Sequence, residues 1–127
     1  LEIKREIGDS PEERLRQRNG VGSSLNNLGN AYNFLGEYQR AIDFYQQSLE
    51  IKREIGDSPE ERLRQRNGVG ISLNNLGSAY KSLGEYQRAI EFYQQSLEIK
   101  REIGDHNGVG NSLNNLGSAY KSLGEYQ

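Results

Sequence analysis

The first 48 residues of this chain are written out again, without a gap, in the next 48, and the two stretches differ at only five places. Ser23, Asn30, Asn33, Phe34 and Asp43 become Ile71, Ser78, Lys81, Ser82 and Glu91. A third copy begins at Leu97 and reaches Gln127. It lacks the eight residues SPEERLRQ, so the underlying unit shortens from 48 residues to 40. Self-similarity at a fixed period constrains a fold more than any local propensity. Each unit is one supersecondary element that cannot bury its apolar face alone, so successive units must stack. The 127 residues are therefore read as a single repeat domain whose stability depends on neighbours.

Within a copy, Val69, Leu73, Leu76, Tyr80 and Leu83 recur at spacings of three and four, one stripe of an α-helix. Gly84 breaks the stripe and suits a left-handed residue after a helix end. A second stripe runs from Tyr86 through Ala89, Ile90, Tyr93 and Leu97 to Ile99 or Ile103, where Gly104 and Asp105 stop it. Each unit is then a hairpin of two antiparallel helices, and no β-branched segment of period two predicts a strand. Six helices are expected, the outer two without partners: residues 1–9 as a partial second helix, repeat 1 over 10–57, repeat 2 over 58–105, and a first helix alone over 106–127. Unpartnered ends of this kind either belong to a longer array or find partners in another molecule, head to tail.

Composition excludes several function classes. The 16 basic and 18 acidic residues nearly cancel, and no one-signed stripe suits a phosphate backbone, so nucleic acid is not an expected partner. No apolar stretch is long enough to span a membrane, so none is expected there either. The absence of cysteine removes disulfides and thiolate metal sites and fits a reducing, cytoplasmic setting. His106 is the only histidine, has no second ligand at metal spacing, and reads as an exposed first-turn residue. Glu50, Glu54, Glu98 and Glu102 recur beside Lys and Arg and read as surface charge, not as an acid/base pair. With no phosphate loop or nucleophile elbow, neither an enzyme nor a cofactor is expected.

The pattern Leu25-x-x-Leu28-Gly29-x-x-Tyr32, followed by Ala41-x-x-x-Tyr45, resembles the tetratricopeptide repeat, with its W-x2-L-G-x2-Y and later A-x3-F. Leu73, Leu76, Gly77, Tyr80, Ala89 and Tyr93 repeat the match, and Leu113, Leu116, Gly117 and Tyr120 begin it a third time. Leu stands for Trp, Tyr stands for Phe, the closing Pro is absent, and the unit exceeds the usual length of about 34 residues. The long second helix and the Ser-Leu-Asn-Asn-Leu start resemble the kinesin-light-chain and Pins-like branch. The resemblance implies an all-α, right-handed superhelical solenoid of antiparallel hairpins, whose first helices line a concave surface, and a non-catalytic protein-interaction scaffold.

SLNNLG occurs three times although Asn is an indifferent helix former. Off the core stripe, at helical spacing, lie Ser23, Asn26, Asn27, Asn30 and Asn33. Their counterparts are Ile71, Asn74, Asn75, Ser78 and Lys81, then Asn111, Asn114, Asn115, Ser118 and Lys121. The resemblance puts this row along the inner groove. There a ladder of carboxamides, each both donor and acceptor, would hold an extended segment of another protein by its backbone. Lys81 and Lys121 would add donors for an acidic side chain or terminal carboxylate. The other reading is a solvated face, or a second Asn in each pair that bonds a neighbouring helix within the stack. The alternative to a scaffold is a structural or self-assembling module, a homo-oligomer stacked end to end through its unpaired terminal helices.

SPEERLRQ carries a helix start, with Ser10 or Asp9 as cap, Pro11 in the first turn, and Glu12 and Glu13 at the positive end of the dipole. Gly20 and Gly22 can break that helix, and we expect a spacer between units. If the helix instead runs on, it overhangs by about two turns and carries Leu63 towards the groove edge.

Overall fold

A computed structural model of the chain describes residues 10–54 and 58–125; among these it contains five helices and no strand. They are α1 (Pro11–Phe34), α2 (Tyr38–Lys52), α3 (Pro59–Ser82), α4 (Tyr86–Glu102) and α5 (His106–Glu125). The expected partial helix over residues 1–9 lies outside the described residues. α1 with α2, and α3 with α4, form hairpins, while α2 against α3 and α4 against α5 join one hairpin to the next. The first helices also touch across the junctions, α1 with α3 and α3 with α5, whereas α2 and α4 make no comparable contact. The stack therefore closes inward on the side of α1, α3 and α5. This is the expected all-α solenoid of antiparallel hairpins.

Local chemistry sets the turns. Gly84 has φ 82°, a conformation without penalty only for glycine. Beside it the Glu85 N–H donates to the Tyr80 carbonyl at 2.9 Å, closing the helix end.

The spacer expected at SPEERLRQ is not found: α1 and α3 are each unbroken helices of 24 residues. The start signal works as read, with Ser10 and Ser58 accepting from the Glu13 and Glu61 N–H at 3.1 Å. The glycines of NGVG do not stop the helix, and Gly22, Gly68, Gly70 and Gly108 give room to a neighbouring side chain, whereas Gly20 and Gly110 face open space. A Cβ at Gly68 would lie 2.8 Å from Lys52 Cδ, and one at Gly108 would lie 2.6 Å from Lys100 Cδ. Each lysine stem thus runs between two first helices. Lys52 Nζ donates to the Asn19 carbonyl at 3.2 Å and to Ser23 Oγ at 3.0 Å, and burial lowers its pKa. Packing of this kind offsets the helix cost of glycine, about 1 kcal/mol each.

The overhang is also tied at its edge, by Arg18 to Glu54 at 2.6 Å and Arg66 to Glu102 at 2.7 Å. Glu54 and Glu102 are surface charges, as expected, and each is paired with an arginine of a first helix. Leu63 stays exposed on the overhang. α5 lacks this extension and begins at an exposed His106, as expected, with Asp105 Oδ1 accepting from the Gly108 N–H at 2.9 Å.

Burial follows the neighbour rule. Leu76 is fully buried between the α1–α2 hairpin on one side and α5 on the other, while its counterpart Leu28 in the first copy is 44% exposed. Gly29 and Gly77 let Tyr45 and Tyr93 lie flat against the first helix, since a Cβ there would sit 2.5 and 2.7 Å from ring carbons. Leu83, the last position of the expected stripe, remains exposed.

Candidate protein-interaction surface

The paired asparagines lie where the first helices face one another, and their amides bond together. Asn75 Nδ2 donates to Asn26 Oδ1 at 3.3 Å, and Asn115 Nδ2 donates to Asn74 Oδ1 at 2.9 Å. The first asparagine of a pair thus offers its oxygen to the following unit, and the second gives an N–H to the preceding one. A single asparagine per copy could not do both with this geometry, which accounts for the doubled residue. All four are half-buried, and a neutral bond of this kind contributes about 0.5–1.5 kcal/mol net. At the ends of the ladder, Asn27 and Asn114 are exposed.

Other positions of the row serve the stack as well. The Tyr45 hydroxyl donates to Asn30 Oδ1 at 2.6 Å, and the hydroxyls of Ser78 and Tyr93 lie 2.9 Å apart. Burial pushes both tyrosine hydroxyls up in pKa, opposed at Tyr93 by the bond to Ser78. Lys81 Nζ donates to Ser118 Oγ across the α3–α5 junction. Asn33, the shorter side chain at the corresponding place in α1, leaves its Oδ1 buried without a partner. Ile71, Asn111 and Lys121 are exposed. The predicted row is thus one continuous strip across three helices, but much of it is satisfied from within.

A cavity of about 230 Å³ opens beside the ladder between α3 and α5. Ile71, Asn74 and Asn75 line one side, Gly108 and Asn111 the other, and Lys100 and Asp105 complete it. Lys100 Nζ lies 3.4 Å from Asp105 Oδ2. The Gly108 N–H, more than the ammonium, holds the Asp105 carboxyl below its ordinary pKa. Sequence reasoning passed over both residues. The available signal was the missing SPEERLRQ, which puts Asp105 two residues before Asn107, the place Gln65 holds relative to Asn67. Among the described residues, no cluster of three metal-ligating side chains exists.

Stacked antiparallel hairpins whose first helices are linked by amide bonds define a helical-repeat protein. Residues 68–127 and residues 23–54 each match the tetratricopeptide repeat. The chain belongs to the tetratricopeptide repeat family, whose repeats generally mediate protein–protein interaction. No curated protein matches it. No helix among the described residues is long and apolar enough to cross a membrane.

Proposed function

We propose that this chain is a non-catalytic scaffold that holds an extended segment of another protein across α1, α3 and α5. One observation carries the reading. In two copies otherwise identical over 48 residues, four of the five differences (Ser23/Ile71, Asn30/Ser78, Asn33/Lys81 and Phe34/Ser82) fall at helical spacing on one side of the first helix. Core positions are held by packing, whereas these vary on one face, where Phe34 and Ile71 are exposed large apolar side chains although Ser23, Asn30, Ser78 and Lys81 also bond within the stack.

The exposed Asn27, Asn111 and Asn114 offer amide donors and acceptors to a peptide backbone, and Lys121 offers a donor to an acidic side chain. Asn26, Asn74, Asn75 and Asn115 frame the strip. The long unit and its Ser-Leu-Asn-Asn-Leu start lead us to read the kinesin-light-chain and Pins-like branch, and the cysteine-free sequence a cytoplasmic setting. The test is an array of extended peptides probed with the chain and with a variant carrying Asn27→Ala, Asn111→Ala and Asn114→Ala. Capture should fall about tenfold or more, a loss of about 1.4 kcal/mol, while helicity is kept; undiminished capture would refute the reading.

A second reading is end-to-end stacking of copies, in which the exposed face of α5 would meet another copy. Leu113 and Tyr120 are 48% and 51% exposed, whereas their counterparts Leu73 and Tyr80, at 2% and 7%, lie under α4. Light scattering that gives the same mass at every concentration would remove it.

A further inference from the structure

The geometry points to the cavity between α3 and α5 as a subsite for a primary carboxamide, the side chain of a Gln or Asn in the bound segment. This rests on the peptide-scaffold reading above.

Lys100 is only 9% exposed, and its Nζ lies 3.2 Å from Asn67 Oδ1 and 3.4 Å from Asp105 Oδ2. An ammonium has three N–H donors, so one remains for a ligand. Asp105 gives Oδ1 to the Gly108 N–H at 2.9 Å and keeps acceptor capacity on Oδ2. The cavity therefore offers a donor beside an acceptor with no net charge.

A carboxylate ligand would satisfy Lys100 but meet Asp105, and an ammonium would meet the reverse conflict. An alkyl side chain would strip water from both groups and pair neither. A carboxamide carries N–H and C=O together and answers both. Asn111, exposed at the rim, adds a further amide, and Ile71 gives the ligand's methylenes an apolar contact.

Among the described residues, this arrangement is found at the junction of α3 and α5. Between α1 and α3 the corresponding places hold Ser23, Gln65 and Ile71 instead of Ile71, Asp105 and Asn111, and there Lys52 bonds the Asn19 carbonyl and Ser23. The shortening of the third copy places Asp105 directly before α5, 3.4 Å from Lys100 Nζ.

The experiment is an array of extended peptides in which each position in turn is Gln, Asn, Glu, Lys or Leu, probed with the unaltered chain and with Asp105→Asn. Asn is as good a helix cap as Asp, so α5 should keep its start, which circular dichroism checks. One position should prefer Gln or Asn over Glu by about tenfold, and Asp105→Asn, which leaves Lys100 uncompensated, should reverse that preference. Peptide capture with no such position, or with a preference that Asp105→Asn does not move, overturns the subsite and leaves the scaffold reading standing. No capture by any peptide overturns both.

Discussion

The glycine that ends SLNNLG is the same letter in every copy, yet a tyrosine ring lies against it in the first two and, among the described residues, nothing does in the third. A Cβ at Gly77 would lie 2.7 Å from both Cδ1 and Cε1 of Tyr93, whereas at Gly117 no atom comes within 4 Å. Tyr93 has little room to yield, being 2% exposed with its hydroxyl 2.9 Å from Ser78 Oγ. Gly77→Ala must therefore push α4 away from α3, an overpacking cost of about 1–3 kcal/mol. Against it stands the better helix propensity of alanine, about 1 kcal/mol. Gly117→Ala gains the propensity and meets nothing.

Because both sites lie in the same hexapeptide within a helix, the propensity gain cancels when the two variants are compared. The remaining difference, about 1–3 kcal/mol, reports the overlap alone. At about 4 °C per kcal/mol for a domain of this size, the two melting temperatures should separate by about 4–12 °C, with Gly117→Ala above the unaltered chain. Thermal melts followed by far-ultraviolet circular dichroism measure this directly. Equal melting temperatures would mean that the tyrosine rings do not rest on the glycines, and the account of hairpin packing would fail.

The amide ladder predicts coupling between residues 41 apart in sequence, Asn74 and Asn115. A double-mutant cycle of Asn74→Ala and Asn115→Ala in urea should return about 0.5–1.5 kcal/mol, and a value of zero would deny the bond. Alkaline pH should act through Tyr45 and Tyr93, whose pKa values burial raises above the ordinary 10.0. The folded state favours their neutral form, so their contribution is complete below 10.0 and is lost as pH climbs through the folded values. Lys52 shifts the other way, gaining stability over the rise towards 10.5. The loss from the two tyrosines should therefore lower melting temperatures as pH rises above 10.0, with Lys52 opposing it only up to 10.5. A variant with both Tyr45→Phe and Tyr93→Phe should flatten or reverse that fall; an unchanged slope would count against the buried hydroxyls.

Much of the architecture was legible before any coordinates. The period, the hairpin of two stripes, the glycine turn at Gly84 and the cap at Ser58 are local properties, decided by residues within a turn or two of one another. The row of amides was legible as a stripe for the same reason. What only the tertiary structure decided are the events that need an atom from another helix. NGVG reads locally as a helix breaker, yet α1 and α3 run through it, and Gly22 and Gly68 leave room for the stem of Lys52, which arrives from α2. Nor does spacing reveal that Asn75 meets Asn26, 49 residues away, or that Asp105 takes the place of Gln65 beside a buried lysine. Periodicity specifies which face of a helix is turned where; which partner waits on that face depends on the packing of the whole stack, and that packing separates amides used by the fold from those left for a ligand.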